Sequence, residues 1–280
     1  MDNRIKTFLL LLVLTAIVLA IGSIFGRTGL IIAFIIVLAM NLFSYYFSDK
    51  IVLFLYRAKP LPRQHWLYHE TEKLAKKAGI PVPKLYVSEF PVANAFATGR
   101  NPKHSAVVVT RKIMDMLSRE ELVGVISHEL SHVKNRDILI ATIASVLAGV
   151  VMYLAAMIRW NIMMGSFEGE NRGNILGLIA LLLIAIIAPL AALLIQLAIS
   201  RSREYLADES GARLIGNGKP LANALLKLER QTKIPSSKAL GFEATENLFI
   251  VSPFSASGLV KLFSTHPPVE ERVRRLLRIK

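Results

Sequence analysis

Four stretches of the chain, at about residues 7–25, 29–47, 138–158 and 175–199, are apolar and carry no charged residue. A bilayer-crossing helix needs roughly 20 apolar residues, so each is long enough to span a membrane. The polar segments between them follow other rhythms. Lys59-Pro60-Leu61-Pro62 reads as an extended linker leaving the second stretch. Residues 67–78 form an amphipathic helix pattern, ended by Gly79 and the Ile80-Pro81-Val82-Pro83 break. Short β-like runs follow at 84–88 and 106–110, the second with Val107, Val108 and Val109 contiguous. Between them, Asn94-Ala95-Phe96-Ala97-Thr98-Gly99 is small and turn-prone around one aromatic. Ser118, followed three residues later by Glu121, is a capping box. It opens a helix predicted to run through His128 and His132 toward the third apolar stretch. Residues 200–214 also read as helix, and a basic terminal helix is expected at about 269–278. The predicted organisation is a hairpin (1–47), a polar segment (48–137), a second hairpin (138–199) and a final polar segment (200–280).

Composition supports a membrane protein. Hydrophobic residues make up 53% of the 280, above what a water-soluble surface usually tolerates. Arg4 and Lys6 ahead of the first stretch, with Ala20-Ile21-Gly22 within it, resemble a cleavable signal. Only Gly26, Arg27 and Thr28 separate it from the second, which favours a retained hairpin. The net charge of +14 invites a nucleic-acid reading, but its distribution argues against one. Of the 34 Lys and Arg residues, 31 fall on one side of a four-span topology, and by the positive-inside rule that side is cytoplasmic. Both termini share it. No nucleic-acid partner is expected, since the excess is spread like that of a membrane-facing surface. No cysteine is present, so a metal must be held by His, Asp or Glu.

His128-Glu129-Leu130-Ser131-His132 carries the chemistry. On a helix, His128 and His132 are one turn apart on one face, so both imidazoles can reach one ion. Glu129 sits about 100° around the helix, able to reach a metal-bound water without ligating. The third ligand is sought in Arg203-Glu204-Tyr205-Leu206-Ala207-Asp208, just past the fourth stretch. There Glu204 can ligate and Asp208, at i+4, can fix the tautomer of a metal-bound histidine. The competing account is an exposed helix face of paired charges. Shared topology favours the ligand reading, because both helices adjoin predicted spans on the same side. His65 and His69 have the same spacing, but Trp66 stands where a catalytic Glu would be needed, so an amphipathic surface helix accounts for them better. His104 is read as a solvated loop residue. Arg272, Arg274, Arg275 and Arg278 are expected to face water or anionic lipid.

The order HELSH, then REYLAD, with NAFATG upstream and STHPP downstream, resembles the HtpX-type membrane zinc peptidases. These are gluzincins related to the CAAX prenyl proteases, and the resemblance covers almost the whole chain. It implies a mainly α integral membrane protein with four transmembrane helices and a cytoplasmic zincin-like metalloprotease domain containing a small β-sheet. It further implies one Zn2+ held by His128, His132 and Glu204, with Glu129 as catalytic base and a stabilising role for His266. Asn94, Ala95, Phe96, Ala97 and Thr98 match the family's active-site strand, where an extended substrate would pair. Arg272 matches a position after His-Pro-Pro, where a salt bridge would support the site.

The expected function is a zinc endopeptidase of the cell membrane, cutting membrane or misfolded proteins on the cytoplasmic side in quality control. The bilayer and those proteins are its expected partners. Cutting inside the bilayer is disfavoured, because Arg119, Glu120, Glu121, Lys134, Arg136 and Asp137 flank the motif. The alternative from another class is a membrane zinc-binding or transport protein that does not hydrolyse. Transport sites usually lie on polar spans at mid-membrane, and these spans carry no charge. A non-enzymatic scaffold would hold no metal.

Overall fold

In the computed structural model, the residues described are 26–143, 201–230, 248–251 and 267–279, together with Leu11, Leu12, Thr15, Ala16, Leu19 and Ser23. Most of the first and third apolar stretches, the whole of the fourth, and His266 lie outside them.

Helix α1 (Gly26–Leu55) runs without a break for 30 residues. Its Gly26–Phe43 part is long and apolar enough to cross a membrane, and it is the one such helix among the described residues. Most of its large apolar side chains are exposed, among them Ile31, Phe34, Ile35 and Ile36, unlike the core helix of a soluble protein. Asn41 Nδ2 donates to Thr15 Oγ1 at 2.9 Å, which sets the first apolar stretch beside α1.

Past Phe43, α1 becomes part of the polar domain. Val52 and Tyr56 are buried with Phe96, Val108 and Leu248 in a small cluster on one face of a four-stranded sheet. The strands are β1 (Lys59–Pro60), β2 (Lys84–Ser88), β3 (Ala95–Asn101) and β4 (His104–Thr110). Their order is β1-β2-β4-β3, with β2 and β4 parallel and the other pairs antiparallel. On the opposite face Ala95, Ala97, Val107 and Val109 join the main core. Both faces are therefore covered, which explains why Val107-Val108-Val109 is continuously apolar rather than alternating. The turn-prone reading of residues 94–99 gives way to strand. Small side chains fit here because helices press on this face, and Gly99, at φ 136°, packs against the His104 carbonyl at the hairpin's close.

The helical layer comprises α2 (Trp66–Ala78), α3 (Arg111–Met116), α4 (Arg119–Asn135), α5 (Arg201–Ile215), α6 (Lys219–Glu229) and α7 (Val269–Leu276). His65 caps the N-terminus of α2, its Nδ1 accepting from the Leu67 N–H at 3.2 Å, so this histidine starts a helix rather than binding a metal. The capping box of α4 forms as the sequence predicts, between Ser118 and Glu121, and Lys227 of α6 pairs with Glu121 at 2.7 Å. Two glycines bring α4 close to its neighbours. A Cβ on Gly124 would lie 2.7 Å from Leu221 N at the start of α6, and one on Gly211 would lie 2.9 Å from His128 N. At both crossings, backbone meets backbone.

Candidate metal centre

Helix α4 does not run on into the third apolar stretch. Arg136 adopts a left-handed conformation, φ 59°, its N–H returning to the carbonyls of His132 and Val133. The chain is helical again over 138–143. The break turns Asp137 back, so that its Oδ2 lies 3.0 Å from His132 Nδ1. Asp137 lies one residue past an αL cap that is neither Gly nor Asn, so no stop signal in the sequence marks it.

His128 and His132 project from one face of α4, with their Nε2 atoms 3.1 Å apart. Glu204, on α5, brings Oε1 to 3.6 Å from His132 Nε2 and Oε2 to 3.9 Å from His128 Nε2. The ligating atoms of these three residues all lie within 4.8 Å of one another. Two nitrogens bound tetrahedrally at 2.0–2.1 Å would be separated by about 3.3 Å, so this triangle suits a zinc-sized ion. The donor set, two imidazoles and a carboxylate, also suits zinc. The close crossing at Gly211 is what lets α5 deliver Glu204 there, since a side chain at 211 would push α5 away from His128.

Both imidazoles are backed by carboxylates. Asp208 Oδ1 lies 2.9 Å from His128 Nδ1, an ion-pair distance without the alignment of a full hydrogen bond. Asp208 is held in turn by Arg272 of α7, which donates through Nε at 2.8 Å and Nη2 at 2.7 Å. The same guanidinium donates to the Ile250 carbonyl at 2.9 Å and lies 3.6 Å from Glu204. Arg272 is fully buried, so of the two readings of this residue the structure shows the salt bridge supporting the site, not a position facing water or lipid. One face of α7 points inward, and a buried carboxylate there requires a cation. Arg275 does remain at the surface, over the Tyr205 ring and paired with Glu271. Arg203, also buried, interacts electrostatically with Asp137 and Glu204.

These contacts set the protonation states. Burial alone would raise the Asp208 carboxyl, but Arg272 and His128 hold it below the usual range. Burial opposes charge on His132, yet Asp137, Glu204 and Glu129 outweigh it and push its pKa up to about 9. Glu129 is 5% exposed, and burial pushes its carboxyl up, with Glu204 adding to the shift, against His128 and His132.

Glu129 Oε2 accepts from the Ala97 N–H at 2.8 Å, tying it to β3, the edge strand of the sheet. Along β3, Ala95, Phe96, Ala97 and Thr98 are all buried. The Ala97 N–H points away from β4, while the Thr98 hydroxyl meets the Thr142 hydroxyl at 3.0 Å. Asn94 is differently employed. Its amide donates to the Leu248 carbonyl at 3.2 Å and accepts from the Ile250 N–H at 3.2 Å, bracketing that segment against β3.

The geometry agrees with comparison to known proteins. The sequence pattern described as Peptidase family M48 matches residues 62–280. A "Protease HtpX homolog" of Desulfatibacillum aliphaticivorans is 50% identical over 99% of this chain and 89% of its own. One of Pelotomaculum thermopropionicum is 49% identical over 98% of both chains, and one of Pyrococcus furiosus is 49% identical over 98% of this chain and 95% of its own. Among solved structures, Ste24p of S. mikatae matches 98% of this chain with a TM-score of 0.53 at 19% identity. The chain spans 65% of that protein's length. A triangle of His128, His132 and Glu204 that could hold a metal, a carboxylate beside it and full-length similarity to HtpX homologues lead to one assignment: the chain belongs to peptidase family M48, the metallopeptidases.

Proposed function

We propose that the chain is a zinc endopeptidase anchored in the cell membrane by four spans, cutting membrane or misfolded proteins on the cytoplasmic side in protein quality control. His128, His132 and Glu204 are the zinc ligands, and Glu129 is the base. The observation that carries this reading is Glu129 itself, buried beside the three-ligand triangle yet hydrogen-bonded to the edge strand rather than to the ion site. A purely metal-storing centre has no use for such a carboxylate.

Bound zinc would supply Lewis-acid polarisation and a water whose pKa is lowered toward ~7. The remaining work falls to the chain. Asp208 and Asp137 keep the ring nitrogens facing them protonated, leaving both Nε2 atoms free to ligate. Glu129, raised by burial, takes a proton from the attacking water and returns it to the leaving nitrogen. A substrate in extended form pairs with the outer edge of β3 at Ala95–Thr98, where main-chain hydrogen bonds give affinity with little sequence selectivity. Asn94 acts by bracing this strand. His266, a few residues ahead of Arg272, is assigned to the tetrahedral oxyanion.

Elemental analysis and casein cleavage test the assignment together. Glu129→Gln is expected to retain zinc and lose proteolysis. Equal cleavage by variant and wild type would reject Glu129 as the base, whereas zinc bound with no hydrolysis by either protein would favour the storage or transport reading.

A further inference from the structure

We infer that β3 stands upright on the membrane and measures the height of the cut, so that membrane-anchored substrates are cleaved at a fixed short distance from the lipid surface. The inference rests on the peptidase reading and on α1 as a span.

Phe96, near the start of β3, packs on Tyr56, in the turn that follows α1, with ring centroids 4.7 Å apart. Arg100, near its end, lies over Tyr46 at 5.1 Å. Tyr56 back to Tyr46 is about 15 Å along a helix. Phe96 to Arg100 is about 13 Å along a strand. The two lengths match, so β3 descends beside α1, antiparallel to it. Tyr46 lies at the end of the apolar stretch 29–47, three residues past the Gly26–Phe43 part that is long and apolar enough to cross a membrane. The turn of the β3–β4 hairpin continues beyond Arg100, toward that boundary.

A second contact lies about two strand residues, or about 7 Å, above Arg100. Thr98 meets Thr142, which lies within the first turns of the third apolar stretch. The strand is thus flanked over its lower half by α1 and by the start of the third apolar stretch. Lys103 and His104 in the turn are exposed, and Arg100 is half-buried. Basic and aromatic groups at this level suit the phosphate layer of anionic lipid.

Ala97, whose N–H meets Glu129, lies about 13 Å above the turn at Asn101. A substrate strand laid along β3 therefore leaves the lipid and reaches the base after about four to six extended residues, allowing for the headgroup layer. Cleavage position would follow this height more than local sequence.

The absence of native cysteine makes depth measurable with single labels. In phosphatidylglycerol–phosphatidylcholine vesicles containing headgroup spin-labelled lipid, a fluorophore on Lys103→Cys should be strongly quenched. The same label on Lys73→Cys, exposed on α2, should not be. Equal quenching at both sites, or none at Lys103→Cys, overturns the orientation. The cut is read separately, using single-span substrates whose cleavable sequence is set about two, six or twelve residues from the span. Mass spectrometry should find cuts clustered about four to six residues out in every substrate. Cuts that follow the sequence wherever it is placed would overturn the ruler. Casein cleavage in detergent separates the two failures, because loss there sinks the peptidase reading while the label still reports strand depth.

Discussion

Arg272 shows how much a single residue carries at this site. Its guanidinium is buried, forks onto Asp208, and holds the segment at Ile250 through a third hydrogen bond. Removing one partner of a buried ion pair leaves the other uncompensated, at a cost of about 3–5 kcal/mol. Arg272→Ala is therefore expected to lower the melting temperature and weaken zinc binding by about 10- to 100-fold through the loosened Asp208 and His128. Chelator competition measures the second effect. Arg272→Lys should recover little, since an ammonium cannot reproduce the bidentate fork. His132 gives a pH-dependent prediction. Without metal its pKa is pushed up to about 9, so below that pH the imidazolium proton competes with zinc. Ligation releases that proton, and apparent zinc affinity should rise about tenfold per pH unit from 7 toward 9. A flat profile in the same competition titration would show that His132 ligates without first losing a proton.

Among the elements, the crossing of α4 and α5 decides whether the third ligand arrives. Gly211 has no spare room, because a Cβ there meets the His128 backbone at 2.9 Å on a helix that cannot yield locally. Gly211→Ala should force the helices apart, costing about 1–3 kcal/mol and moving Glu204 out of the triangle. Gly79→Ala is the control. Gly79 has φ 71° and open space around it, so alanine there strains the cap of α2 without touching the site. Lower melting temperatures in both, with zinc lost only in Gly211→Ala, is the expected result. If Gly211→Ala kept full zinc occupancy, the close approach would not be what positions Glu204. These elements also show what a sequence can convey. The capping box at Ser118 and Glu121, the strand at 84–88 and the α2 stop at Gly79 were legible because each depends on neighbours a few residues away. Strand β3 was legible only through the family resemblance, since its small residues are explained by helices packing on one face and α1 on the other.

For the whole molecule, the pentapeptide and the full-length family resemblance identify the metallopeptidase before any coordinates. What the sequence hides is convergence. His128, Asp208 and Arg272 belong to three separate helices; the sequence suggests Asp208 behind a histidine and Arg272 in a salt bridge, but not that the three form one buried line. Asp137 is hidden for another reason: the αL turn at Arg136 that presents it uses a residue with no preference for that conformation. The expected helix through His128 and His132 toward the third apolar stretch forms, but this joint and the carboxylate behind His132 were not foreseen.

The unbroken course of α1 changes what the membrane anchor is. Its last turn furnishes Val52, and the turn after it Tyr56, to the cluster around Phe96, so the helix long and apolar enough to cross a bilayer is also one wall of the domain that holds the site. An enzyme built this way is less a ball on a string than a building whose foundation pile continues upward as a supporting column. Cutting the pile at ground level would leave Phe96 and Val108 facing water, and the strand beside the base would lose its backing.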